Sequence, residues 1–188
     1  MTSADSKTNA SGLTPTESKQ LRERQPNDDE KSVLQGIRDL YTVSPTSQSY
    51  SMYAQAAVFH DPVSIAEGVE SIKAQFNGLV KVFPRATLDK FRVLENPATL
   101  PKSTILVDQD VSYYRKTDDK EPFKTLNSLL ALERDAQGKV TKHSEEWEHK
   151  PTSASDDGFF GMLNEARKKA TAGIVNAAVD STPPSERK

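Results

Sequence analysis

The chain has 188 residues, of which 28% are charged and 35% hydrophobic, with no cysteine and a formal net charge of −2. That length suffices for one domain with a buried core. The missing cysteine excludes disulfides, iron–sulfur clusters and thiol nucleophiles, and the near balance of 25 Lys+Arg against 27 Asp+Glu speaks against an obligate nucleic-acid binder. No run approaches the about eighteen apolar residues of a membrane span, and residues 1–19 hold no apolar signal stretch. A soluble protein of the cytoplasm, with access to the nucleus, is expected.

Residues 1–26 are mostly Ser, Thr, Lys, Arg, Asp, Glu and Asn, and after Met1 their only large apolar residues are Leu13 and Leu21. Such a segment offers little burial against the entropy of ordering, so a disordered tail is predicted. Asn27 and Glu30 then form a capping pattern, and Val33, Leu34, Ile37, Leu40 and Tyr41 recur at helical spacing. Ser44-Pro45 reads as the start of a short second helix carrying Tyr50 and Tyr53. Residues 56–61 read as a short strand stopped by Pro62. A third helix follows Gly68, with Val69, Ile72, Phe76, Leu79 and Phe83 facing inward and Pro84 ending it.

Beyond Pro84 the apolar period changes from 3.6 to 2. Strands are predicted over 86–95, 103–115, 122–134 and 139–149, separated by turn-like links at Asn96-Pro97, Thr117–Lys120 and Asp135–Gly138. Short links imply antiparallel pairing. The expected result is an α+β domain over 27–150, with three helices on one face of a strongly curved, mostly antiparallel sheet. Residues 156–179 form a further amphipathic helix, its stripe running through Phe159, Leu163, Ala166, Ala170, Ile174 and Ala177. Its small apolar face and mixed charge suit packing on the domain, on a second copy or on a protein partner better than on a membrane. Residues 180–188 read as a second disordered tail.

The stretch Tyr53-Ala-Gln-Ala-Ala-Val-Phe-His-Asp-Pro62, followed by Gly68-Val-Glu-Ser-Ile72, Phe76 and Phe83-Pro84, resembles the opening of the nuclear transport factor 2-like (SnoaL-like) superfamily. Residues 135–147, from Asp135-Ala-Gln-Gly-Lys-Val to Trp147, are similar to that superfamily's last strand. The resemblance implies a cone with an apolar pocket at its wide end, and a homodimer through the outer sheet face. It does not choose a function, because this fold hosts isomerases, dehydratases, polyketide cyclases, epoxide hydrolases and transport adaptors.

The resemblance places Asp61 where the steroid isomerases carry a general base and Tyr41 where they carry an oxyanion donor. Their second acid would fall at Leu130, so the oxyanion hole would be half missing. Read from the residues alone, Asp61 is better suited to accept backbone hydrogen bonds at the Pro62 turn, since Asp-Pro turns outnumber catalytic ones. His143 is a further candidate proton carrier, by resemblance to dehydratases that use His and Tyr. On a regular last strand His143, Glu145, Trp147 and His149 would share one face. His143 and His149 would then lie about 20 Å apart, too far for one ion, so no metal is expected. No phosphate loop or nucleophile elbow is present, and no cofactor is expected. His149, at the strand end, is expected in solvent, as are Asp108 and Asp110 opposite Ile105, Val107, Val111 and Tyr113.

Tyr53, Phe59, His60, Tyr113 and Trp147 are the expected ligand-lining residues. The leading expectation is a pocket that binds a small apolar or aromatic ligand without dedicated catalysis. One alternative is a cofactor-independent isomerase, dehydratase or cyclase with Asp61 as base and Tyr41 or His143 as proton partner. The other is a non-catalytic dimeric interaction module using the sheet face and the C-terminal helix.

Overall fold

Hydrophobic spacing and capping build the inner helices much as expected. In the computed structural model, which describes residues 7–152, 159, 161–165 and 168, a 3-10 turn at Asp28–Glu30 leads into α2, Lys31–Tyr41, after a short α1 at Pro15–Lys19. Glu30 Oε2 accepts from the Asn27 amide at 2.8 Å, and α2 buries Val33, Leu34, Ile37, Leu40 and Tyr41. The predicted second helix is a 3-10 turn, Gln48–Met52. Helix α3 spans Val69–Val82. Gly68 before it has φ +82°, and its amide donates to Ala57 O at 2.8 Å, a backbone state few other residues adopt.

Six strands form one open sheet: β1 Tyr53–Asp61, β2 Ser64–Glu67, β3 Arg85–Leu94, β4 Ile105–Tyr114, β5 Lys124–Arg134 and β6 Val140–Trp147. Their order is β2-β1-β6-β5-β4-β3. Every pairing is antiparallel except β1 with β6. Pro62 does not end the sheet. It begins a two-residue turn in which Asp61 pairs with Ser64 and the chain returns as β2. That four-residue strand is too short to leave a periodic signal.

The sheet has two apolar faces. The inner one packs under α2 and α3 and contributes Phe59, Val107, Val111, Tyr113, Leu130, Leu132 and Trp147 to the main core. The outer one is a smaller cluster of Leu94, Leu106, Leu129 and Ala131, covered by Ala10, Leu21 and Leu100.

Residues 7–26 are therefore not a tail. They lie across the outer face, and Arg22 and Arg24 pair with the free edge of β3: the Arg24 amide donates to Val93 O and the Glu95 amide to Arg22 O, each at 2.8 Å. Thr14 and Glu17 form a capping box that starts α1. The buried Asn9 side chain donates to Ser18 Oγ at 2.7 Å and to His149 O at 3.0 Å, and accepts from the Ser11 amide and hydroxyl. Arg24 grips the buried Glu30 carboxylate with both guanidinium ends at 2.7 Å. Burial opposes the charge of Glu30, but Arg24, the Asn27 amide and Arg134 together still hold its carboxyl below the ordinary range. The expectation of disorder counted apolar residues; the segment is held instead by polar groups satisfied far away in sequence. Residues 1–6, the tail expected over 180–188 and most of the helix expected over 156–179 lie outside the described residues.

Candidate active site

Alternation along β1 turns Phe59 and Asp61 inward and His60 outward, so His60 is exposed and does not line the cavity they face. On the parallel neighbour β6, Phe59 lies beside His143 and His60 beside Ser144. One further step in that register brings Asp61 alongside Glu145. Both carboxyls line a cavity of about 30 Å³, walled by Tyr41, Phe59, Phe76, Tyr113, Trp147 and Phe159, with Gln75, Leu79, Leu126 and Leu163 completing it. That volume holds about two waters. A drug-sized ligand needs roughly 300 Å³ or more.

Asp61 is 1% exposed. Its Oδ1 accepts from the Val63 amide at 3.0 Å, the Ser64 amide at 2.9 Å and the Ser64 hydroxyl at 3.2 Å. The two readings of Asp61 thus describe one residue: the turn fixes one carboxyl oxygen and thereby aims the group along the cavity wall. Ser64 Oγ also reaches Gln75 Oε1 at 3.2 Å, tying the turn to α3.

Tyr41, at the end of α2, donates to Glu145 Oε2 at 2.7 Å, and Trp147 Nε1 donates to Glu145 Oε1 at 3.1 Å. Behind Tyr41 stands His143, with Nε2 3.4 Å from the Tyr41 hydroxyl and Nδ1 2.7 Å from the Tyr53 hydroxyl. Because Tyr41 gives its proton to Glu145, its oxygen is left to accept from Nε2–H, and Nδ1 accepts from Tyr53. The chain of donors runs Tyr53, His143, Tyr41, Glu145. Burial pushes His143 down to about 3, so the ring is neutral at pH 7. Burial, and then the charge of Glu145, raises the Tyr41 hydroxyl far above its usual value.

Of the residues singled out in the sequence, Asp61, Tyr41, Phe59, Tyr113 and Trp147 line the cavity. His143 and Tyr53 form the row behind Tyr41. In the sequence Glu145 stands out only as a metal-ligand candidate and not as a site acid. It lies directly across from Leu130 on the neighbouring strand, so a carboxyl stands one strand over from the position the resemblance left empty. Its signal was the alternation His143, Glu145, Trp147 on a strand with an inward face.

His149 does not continue that alternation. Glu148 and His149 adopt φ +55° and +59°, a left-handed bend that swings His149 to the outer face. There it is fully buried, with Nδ1 2.8 Å from Ser18 Oγ and Nε2 3.1 Å from Asp108 Oδ1. Asp108 is buried too, held by Asn127 at 3.0 Å, Lys90 at 3.1 Å and Arg92 at 3.2 Å. Burial opposes its charge, yet the hydrogen bonds from His149, Asn127 and Lys90 keep its carboxyl well below the usual range. The expectation that His149 and Asp108 are solvated is corrected: residues 7–26 roof this part of the sheet. Ser18, His149 and Asp108 are ordered like a hydrolytic triad, but Ser18 is fully buried and also donates to Pro15 O and accepts from Asn9. With no route to solvent, the cluster latches the N-terminal segment to the sheet. Among the described residues no group of three or more His, Asp and Glu is placed to hold a metal ion.

No protein-family model matches the chain, and no curated protein matches it. Solved structures do. A steroid delta-isomerase from Pseudomonas aeruginosa superposes with TM-score 0.54 at 14% identity, covering 80% of this chain and 97% of that one. An uncharacterized protein with a cystatin-like fold from Silicibacter pomeroyi gives 0.53 at 8% identity, over 79% and 92%. A de novo designed protein with a curved β-sheet gives 0.52 at 13% identity, over 78% and 99%. At such identities the likeness is one of fold, and the fold is nuclear transport factor 2-like.

Proposed function

We propose that the chain is a small-molecule-binding protein whose cavity takes an apolar or aromatic ligand bearing a hydrogen-bond donor. The observation that carries this reading is an aromatic-walled cavity lined by both Asp61 and Glu145, which stand on the neighbouring strands β1 and β6. Aromatic walls bind a planar ligand with little directional demand, and a few fixed polar groups then set its orientation. The Tyr41 and Trp147 donors are turned onto Glu145, so the polar end of the cavity favours a donor on the ligand. The fold likeness to a steroid delta-isomerase supports a ligand in the cone and nothing narrower.

The second reading is acid–base chemistry of the isomerase, dehydratase or cyclase kind. It is favoured by the fixed, inward Asp61 carboxyl beside the Tyr41–Glu145 pair, since a buried carboxylate next to an apolar ligand is a suitable general base. Tyr41 is the nearer proton partner; His143 acts only through it. The homodimer implied by the resemblance belongs with these proposals. Ala10 and Leu21 cover the apolar cluster on the outer face of β3, β4 and β5, so a contact through the outer face would have to involve this segment or avoid that part.

Fluorescence titration with 2-naphthol tests the binding reading. Asp61→Asn and Glu145→Gln are expected to weaken binding by about tenfold or more, the size of a hydrogen bond to a charged group. Equal affinity in all three proteins would dismiss it. Incorporation of deuterium from D2O at the α-carbons of 2-tetralone, lost in Asp61→Asn, would raise the reading to catalysis.

A further inference from the structure

Beside the cavity stands a ring cluster that shares Tyr113 and Phe159 with its wall. Phe83 at the end of α3, Tyr113 on β4 and Phe123 before β5 surround Phe159, whose ring centroid lies 5.6, 5.5 and 6.4 Å from theirs. Phe83 and Tyr113 also touch each other, at 5.1 Å, so the cluster is a formed cage. Arg115 covers its outer rim, 3.8 Å over the Phe123 ring. Phe159 is 2% exposed and Leu163 5%. Both lie on one face of the C-terminal segment, four residues apart, and both line the cavity.

Phe159 therefore occupies two places at once. Its ring sits among the cage rings, and it also lines a cavity that as it stands is large enough for water alone. A planar ring held at three sides by aromatic faces and edges is the arrangement such a cage would give an aromatic ligand. Tyr113 and Phe159, common to the cage and the cavity, line the same space as Asp61 and Glu145.

We infer that Phe83, Tyr113 and Phe123 form a ring-binding subsite, that Phe159 fills it as an internal occupant, and that an aromatic ligand enters by displacing Phe159. The inference rests on the ligand-binding reading and adds to it the ligand's ring and the element that competes with it. A buried phenylalanine side chain favours the filled state by a factor of about ten to a hundred, and a ligand's apparent affinity falls by the same factor while the site is closed. Removing the side chain leaves an aromatic-lined void of the kind that takes up benzene-sized molecules.

Indole is the probe, titrated calorimetrically into the full-length chain and into Phe159→Ala. The variant is expected to bind about tenfold or more tightly, and in the wild-type chain saturating indole is expected to accelerate amide exchange across residues 161–165. Phe159→Leu, which keeps an aliphatic filler, is expected to fall between the two. The exchange measurement needs no variant, so it stands even if Phe159→Ala does not fold. A folded Phe159→Ala that binds no more tightly than wild type, or exchange at 161–165 that is unchanged or slowed by bound indole, overturns the inference. Indole binding that depends on Asp61 but not on Phe159 does the same while leaving the pocket reading in place. Absence of binding to both wild type and Phe159→Ala removes both.

Discussion

Between the hydroxyls of Tyr53 and Tyr41, His143 meets Phe59 edge-on with ring centroids 4.9 Å apart and is cut off from water. It stays neutral in the folded chain down to about pH 3, whereas in the unfolded chain it takes up a proton near 6.5. Between those values the unfolded state binds the extra proton, so stability falls as the pH falls, by about 1.4 kcal/mol per unit. His143→Gln removes that dependence. The urea midpoints of wild type and variant are expected to converge as the pH drops from 7 to 4; a constant gap would show that His143 does not titrate this way. Asp108, with its depressed carboxyl, loses its contribution only below its unfolded range and does so equally in both proteins. At this scale Asp61, Tyr41, Phe59, Tyr113 and Trp147 could be named from the sequence because each lies on a regular inward face. Glu145 could not be named as a site acid, because the resemblance points to Leu130 on β5 and the carboxyl arrives from the neighbouring strand β6.

Helix α2 carries Tyr41 to the cavity, and its position depends on how closely it meets the 3-10 turn before β1. Gly36 permits that approach: a Cβ there would sit 2.7 Å from Ser49 O and 2.8 Å from Met52 Sδ. Alanine favours a helix over glycine by about 1 kcal/mol, but overpacking against backbone costs about 1–3 kcal/mol. Gly36→Ala is therefore expected to lower stability by about 1 kcal/mol in thermal or urea unfolding, and a more stable variant would show that the two elements move apart freely. The helices and the four meander strands were legible as periods of 3.6 and 2. The hairpin strand β2 and the left-handed bend after β6 were not. The first is four residues long, and the second interrupts alternation through φ values at Glu148 and His149 that residue type does not announce.

Across the molecule, the N-terminal segment decides which surface of the sheet is available. Leu21 and Ala10 cover Leu94, Leu106, Leu129 and Ala131, and the Ser18–His149–Asp108 latch pins that cover. Leu21→Asp places a charge against this apolar cluster and is expected to loosen the segment. Light scattering should then show mass rising with concentration beyond that of the wild-type chain, together with stronger binding of a hydrophobic dye. Unchanged mass and dye binding would show that the outer face is not sticky when uncovered. By itself the sequence determined the α+β class, the helix and meander order, and an inward set of aromatics with one carboxylate, because these follow from local period and turn chemistry. Only the tertiary structure decided that residues 7–26 are a strap, that His149 and Asp108 are buried, and that Glu145 joins Asp61 in a cavity that Phe159 also lines. Each of those depends on hydrogen bonds or ring contacts between residues tens of positions apart, and one strand's register carries no record of what its neighbour brings.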